Sequence, residues 1–273
     1  MLQQLPVTEC KELKIPAPWG YISGRWYGNR TERPILALHG WLDNLGTFDR
    51  LVPLLPGHVG VLCIDLPGHG RSSPLPLGIR YDVYNDVFII PRIMKHFGWE
   101  KVSLMGHSLG AFYSFIYATM APDTVDMVIC IDCVLMPKFD SDIALESFRR
   151  NLDQHMAQDE ILASGSLREP PNRRIKFYNY WDIGAELAAD MAGGVGKKPF
   201  LIIKGSMSPF LGAHSDEAVS ILAQDNPHFE FYEVENGTHH VHLEFPEECA
   251  KYMCPFIQYH RPPMGATLFQ GKL

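Results

Sequence analysis

The 273-residue sequence predicts an α/β protein with a mostly parallel central sheet. Three observations lead to this fold class. Short apolar runs without polar alternation recur along the chain, which is typical of strands that are buried on both faces. Segments with apolar residues at helical spacing lie between these runs, as in βαβ units. The runs are bounded by proline, glycine or an acidic residue, which are residue types that interrupt regular structure.

The predicted strands follow one another along the chain. Residues 10–28 predict two short strands that are separated by Pro-Trp-Gly. Continuous apolar runs predict six more strands, within residues 34–40, 60–70, 102–108, 127–132, 199–205 and 229–235. No internal repeat, low-complexity tract or linker divides the chain, so these strands are expected to belong to one core.

Helical spacing of apolar residues occurs in three of the connections, at residues 47–55, 83–98 and 109–122. The second helix is expected to break near Pro91 and to close at Gly98, because proline interrupts a helix and glycine commonly ends one. The third helix is expected to stop at Pro122. Strands and helices thus alternate as a parallel sheet requires.

The segment 137–198 breaks this alternation. It contains helical patterns but no apolar strand run, and it is too long for an ordinary connection. We therefore expect a small helical lid, inserted after the sixth strand, between core residues 1–136 and core residues 199–273. Tyr178 and Trp181 of this segment either line a substrate pocket or anchor the lid.

Composition excludes some functions and favours a cellular location. The formal net charge is −7 and no run of lysine or arginine occurs, which disfavours a nucleic-acid partner. No stretch of the sequence approaches a membrane span. The six cysteines are typical of reduced, packed thiols, and no signal peptide is apparent, so a cytoplasmic location is expected. The final Gly-Lys-Leu is a weak match to the peroxisomal Ser-Lys-Leu signal, which leaves a peroxisomal location as the alternative.

A serine between two glycines is the most informative motif. The stretch Gly106-His107-Ser108-Leu109-Gly110 lies between an apolar run and a helical segment. A nucleophilic serine at a strained strand-to-helix corner needs small flanking residues, and the helix N-terminus beside it can stabilise an oxyanion. The alternative is a glycine-rich helix cap. The strand before the motif and the helix after it favour the nucleophile.

A serine hydroxyl needs a base to remove its proton. Among the twelve histidines, His239, His240 and His242 are the best candidates, because they follow the last predicted strand through an Asn-Gly turn. A metal cluster is the rival explanation, but no Asp or Cys occurs at ligand spacing, so no metal site is expected. His39, beside a possible oxyanion loop, and His107, next to the serine, are assigned to the substrate site.

Four short stretches of the sequence, taken in order, are similar to a known protein family. "LHGW", "DLPGHGRS", "GHSLG" and "GTHHVHLEFPEE" resemble the α/β-hydrolase superfamily over nearly the whole chain. The longer phrases "PWGYISGRWYG" and "LALHGWLDNLGTFDRLVPLLP" are similar to the serine hydrolase-like proteins of animals, including the kraken-type members of insects. The resemblance implies the α/β-hydrolase fold, with Ser108 as nucleophile and His239 as base. It also implies an oxyanion hole formed by the backbone N–H groups of Trp41 and Leu109. No cofactor is expected.

The acid of the expected catalytic triad departs from the family pattern. The usual position follows the strand at 199–205, and this chain has Ser208 there. Serine cannot supply the negative charge that stabilises a histidinium. Some superfamily members place the acid at the end of the preceding strand, so Asp132 is the candidate and Asp216 the reserve. An aspartate at that strand end can also simply hold a neighbouring loop.

These observations predict a serine hydrolase that cleaves small, largely apolar carboxylic esters or thioesters through an acyl-serine intermediate. Hydrolysis of a carbon–carbon bond uses a similar serine, whereas dehalogenation and epoxide opening on this fold use an aspartate. The rival hypothesis is a receptor-like protein that binds a small ligand on a hydrolase scaffold with little turnover. The missing acid at position 208, where Ser208 stands, keeps that rival open.

Overall fold

The structure, a computed structural model, describes residues 9–76, 79, 81–135, 191–211 and 213–263. Residues 191–195 are helical, and the rest of the expected lid up to residue 190, with Tyr178 and Trp181, lies outside the described residues. The lid therefore stays a prediction.

The described strands form a single eight-stranded sheet in the order β1-β2-β4-β3-β5-β6-β7-β8. The strands are β1 (Cys10–Ala17), β2 (Gly20–Tyr27), β3 (Ile35–Leu38), β4 (Val61–Ile64), β5 (Val102–His107), β6 (Val125–Ile131), β7 (Phe200–Gly205) and β8 (Phe229–Val234). The pairs β1–β2 and β2–β4 are antiparallel, and the five other pairs are parallel. The predicted, mostly parallel sheet is confirmed.

The central strands read as unbroken apolar runs because both of their faces are covered. Every residue of β3, β4 and β5 is buried. Successive side chains of a strand point to opposite faces. Leu36 and Leu38 accordingly pack into one hydrophobic cluster, while Ile35 and Ala37 pack into another on the opposite side of the sheet.

The described helices with defined bounds cover the two faces. They are α1 (Val83–Val87), α2 (Ile89–Phe97), α3 (Leu109–Met120), α4 (Ala213–Asp225), α5 (Val241–Glu244) and α6 (Pro246–His260). Gly98 ends α2 in the left-handed region, with φ of 70°, and α3 ends just before Pro122. Both stops match the prediction.

The expected break in the helix 83–98 lies at Phe88, three residues before Pro91. Pro91 then falls in the first turn of α2, where its missing N–H is not needed. The helix predicted at 47–55 needs correction. Residues 47–55 do not form one helix but contribute to two 3₁₀ turns, Leu45–Phe48 and Val52–Leu54. Pro53 is the second residue of the second turn, and a proline there cannot donate the hydrogen bond that would continue a helix from the first.

Parallel pairing brings the carboxyl ends of β3, β5, β6, β7 and β8 to one edge of the sheet. Ligand sites of open α/β sheets form at this edge. Ser108 follows β5, Asp132 follows β6, and His239 lies in the loop after β8. The three residues that the sequence singles out for catalysis thus start from neighbouring strand ends.

Candidate active site

The turn between β5 and α3 holds Ser108 in a strained conformation. Its φ is 52° and its ψ is −117°, a combination that side chains rarely adopt. A methyl group on Gly106 would lie 2.2 Å from the carbonyl oxygen of Gly110, and one on Gly110 would lie 2.1 Å from the carbonyl oxygen of Leu38. The backbone packs so tightly that only glycine fits on either side. The motif therefore forms the sharp corner that its glycines predict.

A hydrogen-bonded relay starts at this serine. The Ser108 Oγ lies 2.8 Å from Nε2 of His239, and Nδ1 of the same ring lies 2.7 Å from Oδ2 of Asp132. Asp132 is fully buried, whereas the His239 side chain is 18% exposed. This arrangement allows Nε2 to take the hydroxyl proton while the carboxylate holds the Nδ1 proton. Of the three candidate histidines, the structure brings His239 to the serine.

The structure also distinguishes between the two candidate acids. Oδ1 of Asp132 accepts a hydrogen bond of 2.8 Å from the Gly205 N–H, and Oδ2 accepts one from the Ser208 hydroxyl in addition to its contact with His239. Asp216, the reserve, is exposed on α4. Asp132 is thus the carboxylate that meets the imidazole, and Ser208, the residue at the usual acid position, donates to it.

Sequence reasoning missed one neighbour of the relay. The ring of Phe210 is stacked on that of His239, with 3.8 Å between centroids and 20° between planes. Phe210 belongs to the loop after β7, two residues beyond Ser208. The only signal for it was its position close to the expected acid, since loop aromatics carry no periodicity.

Two buried histidines lie beneath the base. The Nε2–H of His107 donates to the carbonyl oxygen of His239 at 2.8 Å, and Nε2 of His242 lies 2.8 Å from Oγ1 of Thr47. The His107 and His242 rings are 4.2 Å apart, and both are buried. Burial lowers the pKa of His107 well below its usual value and that of His242 to about 3, so both rings are neutral. His107, predicted to contact substrate, instead faces the backbone of His239.

The clustered histidines do not amount to a metal site. Across residues 9–76, 79, 81–135, 191–211 and 213–263, no group of three or more His, Cys, Asp or Glu residues is arranged to hold a metal ion. The described helices also include none that is long and apolar enough to cross a membrane.

Two other histidines hold the loop that is expected to supply an oxyanion N–H. The Nδ1–H of His39 donates to the Gly40 carbonyl at 2.7 Å, and the Leu42 N–H donates to Nε2 of His69 at 3.3 Å. A methyl group on Gly40 would lie 3.2 Å from Cβ of Ser108, so the loop passes directly beside the serine. Trp41, between the two anchored residues, is 44% exposed.

His39 itself is fully buried, and its Nε2 accepts the Leu66 N–H at 3.0 Å. This burial argues against the predicted contact of His39 with substrate and assigns it to the support of the loop. Leu109, the other expected oxyanion residue, is buried as the first residue of α3.

Acid should destabilise the protein through these loop histidines. Burial lowers the pKa of His39 to about 4 and that of His69 to about 3, whereas an unfolded histidine titrates near 6.5. Between these values the unfolded chain binds more protons, so the free energy of unfolding falls as the pH drops from 7 towards 4. We expect a loss of about 1 to 2 kcal/mol for each histidine between pH 7 and pH 5.

Urea unfolding at the two pH values measures this loss. His69→Gln is the matched variant, because glutamine can accept the Leu42 N–H but does not titrate. Between pH 7 and pH 5, the free energy of unfolding of this variant should fall by about 1 to 2 kcal/mol less than that of the wild type. An equal loss in both proteins would contradict a neutral, buried His69.

The family of the chain follows from comparison with known proteins. The family model described as "alpha/beta hydrolase fold" matches residues 33–173, more than half of the chain. The chain belongs to the α/β-hydrolase family. A serine hydrolase-like protein of Danio rerio is 28% identical over 298 residues, covering 93% of this chain and 90% of that protein. A probable serine hydrolase of Drosophila melanogaster is 46% identical over 132 residues, covering 48% of this chain and 40% of that protein.

Solved structures support the same fold. A hypothetical protein of Pseudomonas aeruginosa PAO1 aligns with a TM-score of 0.72 at 24% identity, covering 91% of this chain and 98% of that chain. A thioesterase domain of the curacin biosynthetic pathway aligns with a TM-score of 0.69 at 19% identity, covering 90% of this chain and 99% of that chain. The carboxylesterase CesB of Bacillus subtilis aligns with a TM-score of 0.68 at 17% identity, covering 93% of each chain. At these identities the likeness shows the fold alone.

Proposed function

We propose that this protein is a serine hydrolase that cleaves small, largely apolar carboxylic esters or thioesters through an acyl-serine intermediate. The observation that carries the proposal is the relay from Ser108 through His239 to Asp132, with contacts of 2.8 and 2.7 Å. Relatives that are named serine hydrolases support the reaction class.

Acylation is the first half of the proposed reaction. The Ser108 oxygen attacks the carbonyl carbon while Nε2 of His239 takes its proton, and the π electrons of the carbonyl move onto its oxygen. The buried carboxylate of Asp132 stabilises the imidazolium that forms. Backbone N–H groups of Trp41 and Leu109 donate to the oxyanion, and the N-terminus of α3 adds a favourable field.

Collapse of the tetrahedral adduct completes acylation: the bond to the alcohol or thiol breaks, and His239 returns the proton to that leaving group. Deacylation uses the same groups. Water attacks the carbonyl carbon of the acyl-serine and gives a proton to His239, and the second adduct then breaks its bond to Ser108, whose oxygen takes the proton back from His239 as the acid leaves. No atom from outside the protein, substrate and water is needed.

The substrate preference rests on exposed apolar side chains on two loops that pass beside the relay. Trp41 and Leu42 follow Gly40, which packs against Ser108, and they are 44% and 59% exposed. Met207, which precedes Ser208, is 67% exposed. Such side chains favour an apolar acyl or alcohol group. We keep residues 137–198 as the proposed lid that completes this surface.

A fluorophosphonate probe and a series of p-nitrophenyl esters test the proposal. The probe should label the protein stoichiometrically, and peptide mapping should place the label on Ser108. From acetate to hexanoate, kcat/KM should rise about threefold to fourfold for each added methylene, in line with about 0.8 kcal/mol for burying one CH₂. Tight binding of a non-hydrolysable ester without labelling or turnover would favour the receptor-like alternative instead.

A further inference from the structure

The loop after β7 carries two side chains that contact the relay from outside it. Ser208 is buried, and its hydroxyl donates to Oδ2 of Asp132, the same oxygen that lies 2.7 Å from Nδ1 of His239. The Ser208 oxygen in turn accepts the Phe210 N–H at 3.3 Å. The ring of Phe210 covers the face of His239. One three-residue segment therefore touches both the acid and the base.

Asp132 needs such restraint because its own backbone is strained. Its φ is 56°, in the region that favours glycine, and its N–H donates to the Ile203 carbonyl at 2.8 Å. The Gly205 N–H fixes one carboxylate oxygen, and Ser208 and His239 share the other. Without Ser208, Oδ2 loses one of these two donors, and the carboxylate is freer to rotate away from the imidazole.

Phe210 acts on the base in a way that depends on its charge. The centroids of the two rings are 3.8 Å apart, which is within the range where a cation is attracted to the face of an aromatic ring. In the proposed mechanism, His239 gains a positive charge when it takes the serine proton. The attraction therefore strengthens on the way to the tetrahedral intermediate, which is the condition for a contact to raise kcat.

The loop is fixed to the segment that carries the base. The Met207 N–H donates to the Gly237 carbonyl at 2.9 Å, and the Asn236 N–H donates to the Ser206 hydroxyl at 2.9 Å. These bonds join the loop after β7 to the turn that leads into His239. These hydrogen bonds thus hold the loop that carries Ser208 and Phe210 in place beside the relay.

We propose that Ser208 and Phe210 are positioning residues, with Ser208 fixing the carboxylate of Asp132 and Phe210 fixing and stabilising the imidazole ring of His239. This inference rests on the proposed function and deepens it. It also explains the departure from the family pattern. Ser208 stands at the usual acid position, and its hydroxyl donates to Asp132, which takes the role of the acid instead.

Ester kinetics of Ser208→Ala and Ser208→Thr test the first part. The alanine variant should lower kcat about tenfold with KM within about twofold, because a hydrogen bond to a charged group is lost but no substrate contact changes. Threonine keeps the hydroxyl and should restore at least half of kcat. Ser215→Ala is the matched control, because its buried hydroxyl has no hydrogen-bond partner among the described residues, and its kcat should be unchanged. An unchanged kcat in Ser208→Ala would overturn the proposal.

The pair Phe210→Leu and Phe210→Tyr tests the second part and stays decisive if the Ser208 variants do not fold. Leucine should lower kcat about fivefold without a matching change in KM, whereas tyrosine keeps the ring face and should retain kcat. A rise in KM alone for Phe210→Leu would make Phe210 a substrate contact and overturn its positioning role.

Proton NMR separates this inference from the proposed function. The hydrogen-bonded Nδ1 proton of His239 should give a downfield resonance in the wild type, and it should shift or broaden in Ser208→Ala but not in Ser215→Ala. This signal does not depend on turnover. If the downfield resonance of the wild type changes in Ser208→Ala, but the wild type resists the fluorophosphonate, the proposed function fails and the positioning role holds. If the signal is identical in all three proteins, the positioning role fails.

Discussion

Replacing Ser108 by alanine should abolish ester hydrolysis and fluorophosphonate labelling. The variant loses the only atom that forms the acyl bond in the proposed mechanism, while His239 and Asp132 remain. We expect kcat to fall by at least about 10⁴-fold, as is typical when the nucleophile of a serine relay is removed. Steady-state hydrolysis of a p-nitrophenyl ester and gel detection of the label measure the two effects.

Ser108→Gly is the matched partner of this variant. Both substitutions remove the hydroxyl, but glycine adopts the observed φ of 52° without strain and alanine does not. The glycine variant should be the more stable of the two by about 1 to 3 kcal/mol in urea unfolding, and equally inactive. Appreciable hydrolysis by either variant would mean that another residue forms the acyl bond.

Replacing Asp132 by asparagine should lower kcat by about 10⁴-fold, the cost of losing the acid in such relays. The amide carries no charge to stabilise the imidazolium, and its NH₂ group can turn the imidazole to the wrong tautomer. Asp216→Asn is the control, because Asp216 is exposed on α4 and its kcat should be unchanged. If Asp216→Asn and not Asp132→Asn removed activity, the assignment of the acid would be wrong.

The position of Ser208 allows a stronger test of the acid. Its hydroxyl contacts Asp132 Oδ2, so a carboxylate carried at position 208 reaches the place that this oxygen occupies. In Asp132→Ala, the second substitution Ser208→Asp should therefore recover about 10- to 100-fold of the lost kcat. Ser208→Asp alone should impair the enzyme, because two like charges would meet at one site. A double variant no better than Asp132→Ala would show that the imidazole cannot use an acid on the loop after β7.

The sequence predicts the fold well because the central strands are buried on both faces, so each appears as a continuous apolar run without polar alternation. It predicts Ser108 because a strained corner demands glycine on both sides, and those glycines are visible in the chain. Asp132 follows only from the family resemblance, because some superfamily members carry the acid at the end of the strand that corresponds to β6. Ser208 and Phe210 could not be placed, because their contacts depend on the path of a loop that carries no periodicity. The helix expected at 47–55 failed because one proline outweighed the apolar spacing.

The assembly of the relay has a consequence for how its chemistry responds to denaturation. Ser108 and His239 are 131 residues apart in the chain, and Asp132 and His239 are 107 apart. No local hairpin or isolated helix can bring these atoms together. Turnover is thus expected to require the assembled sheet, because loss of β8 would separate His239 from Ser108 and Asp132.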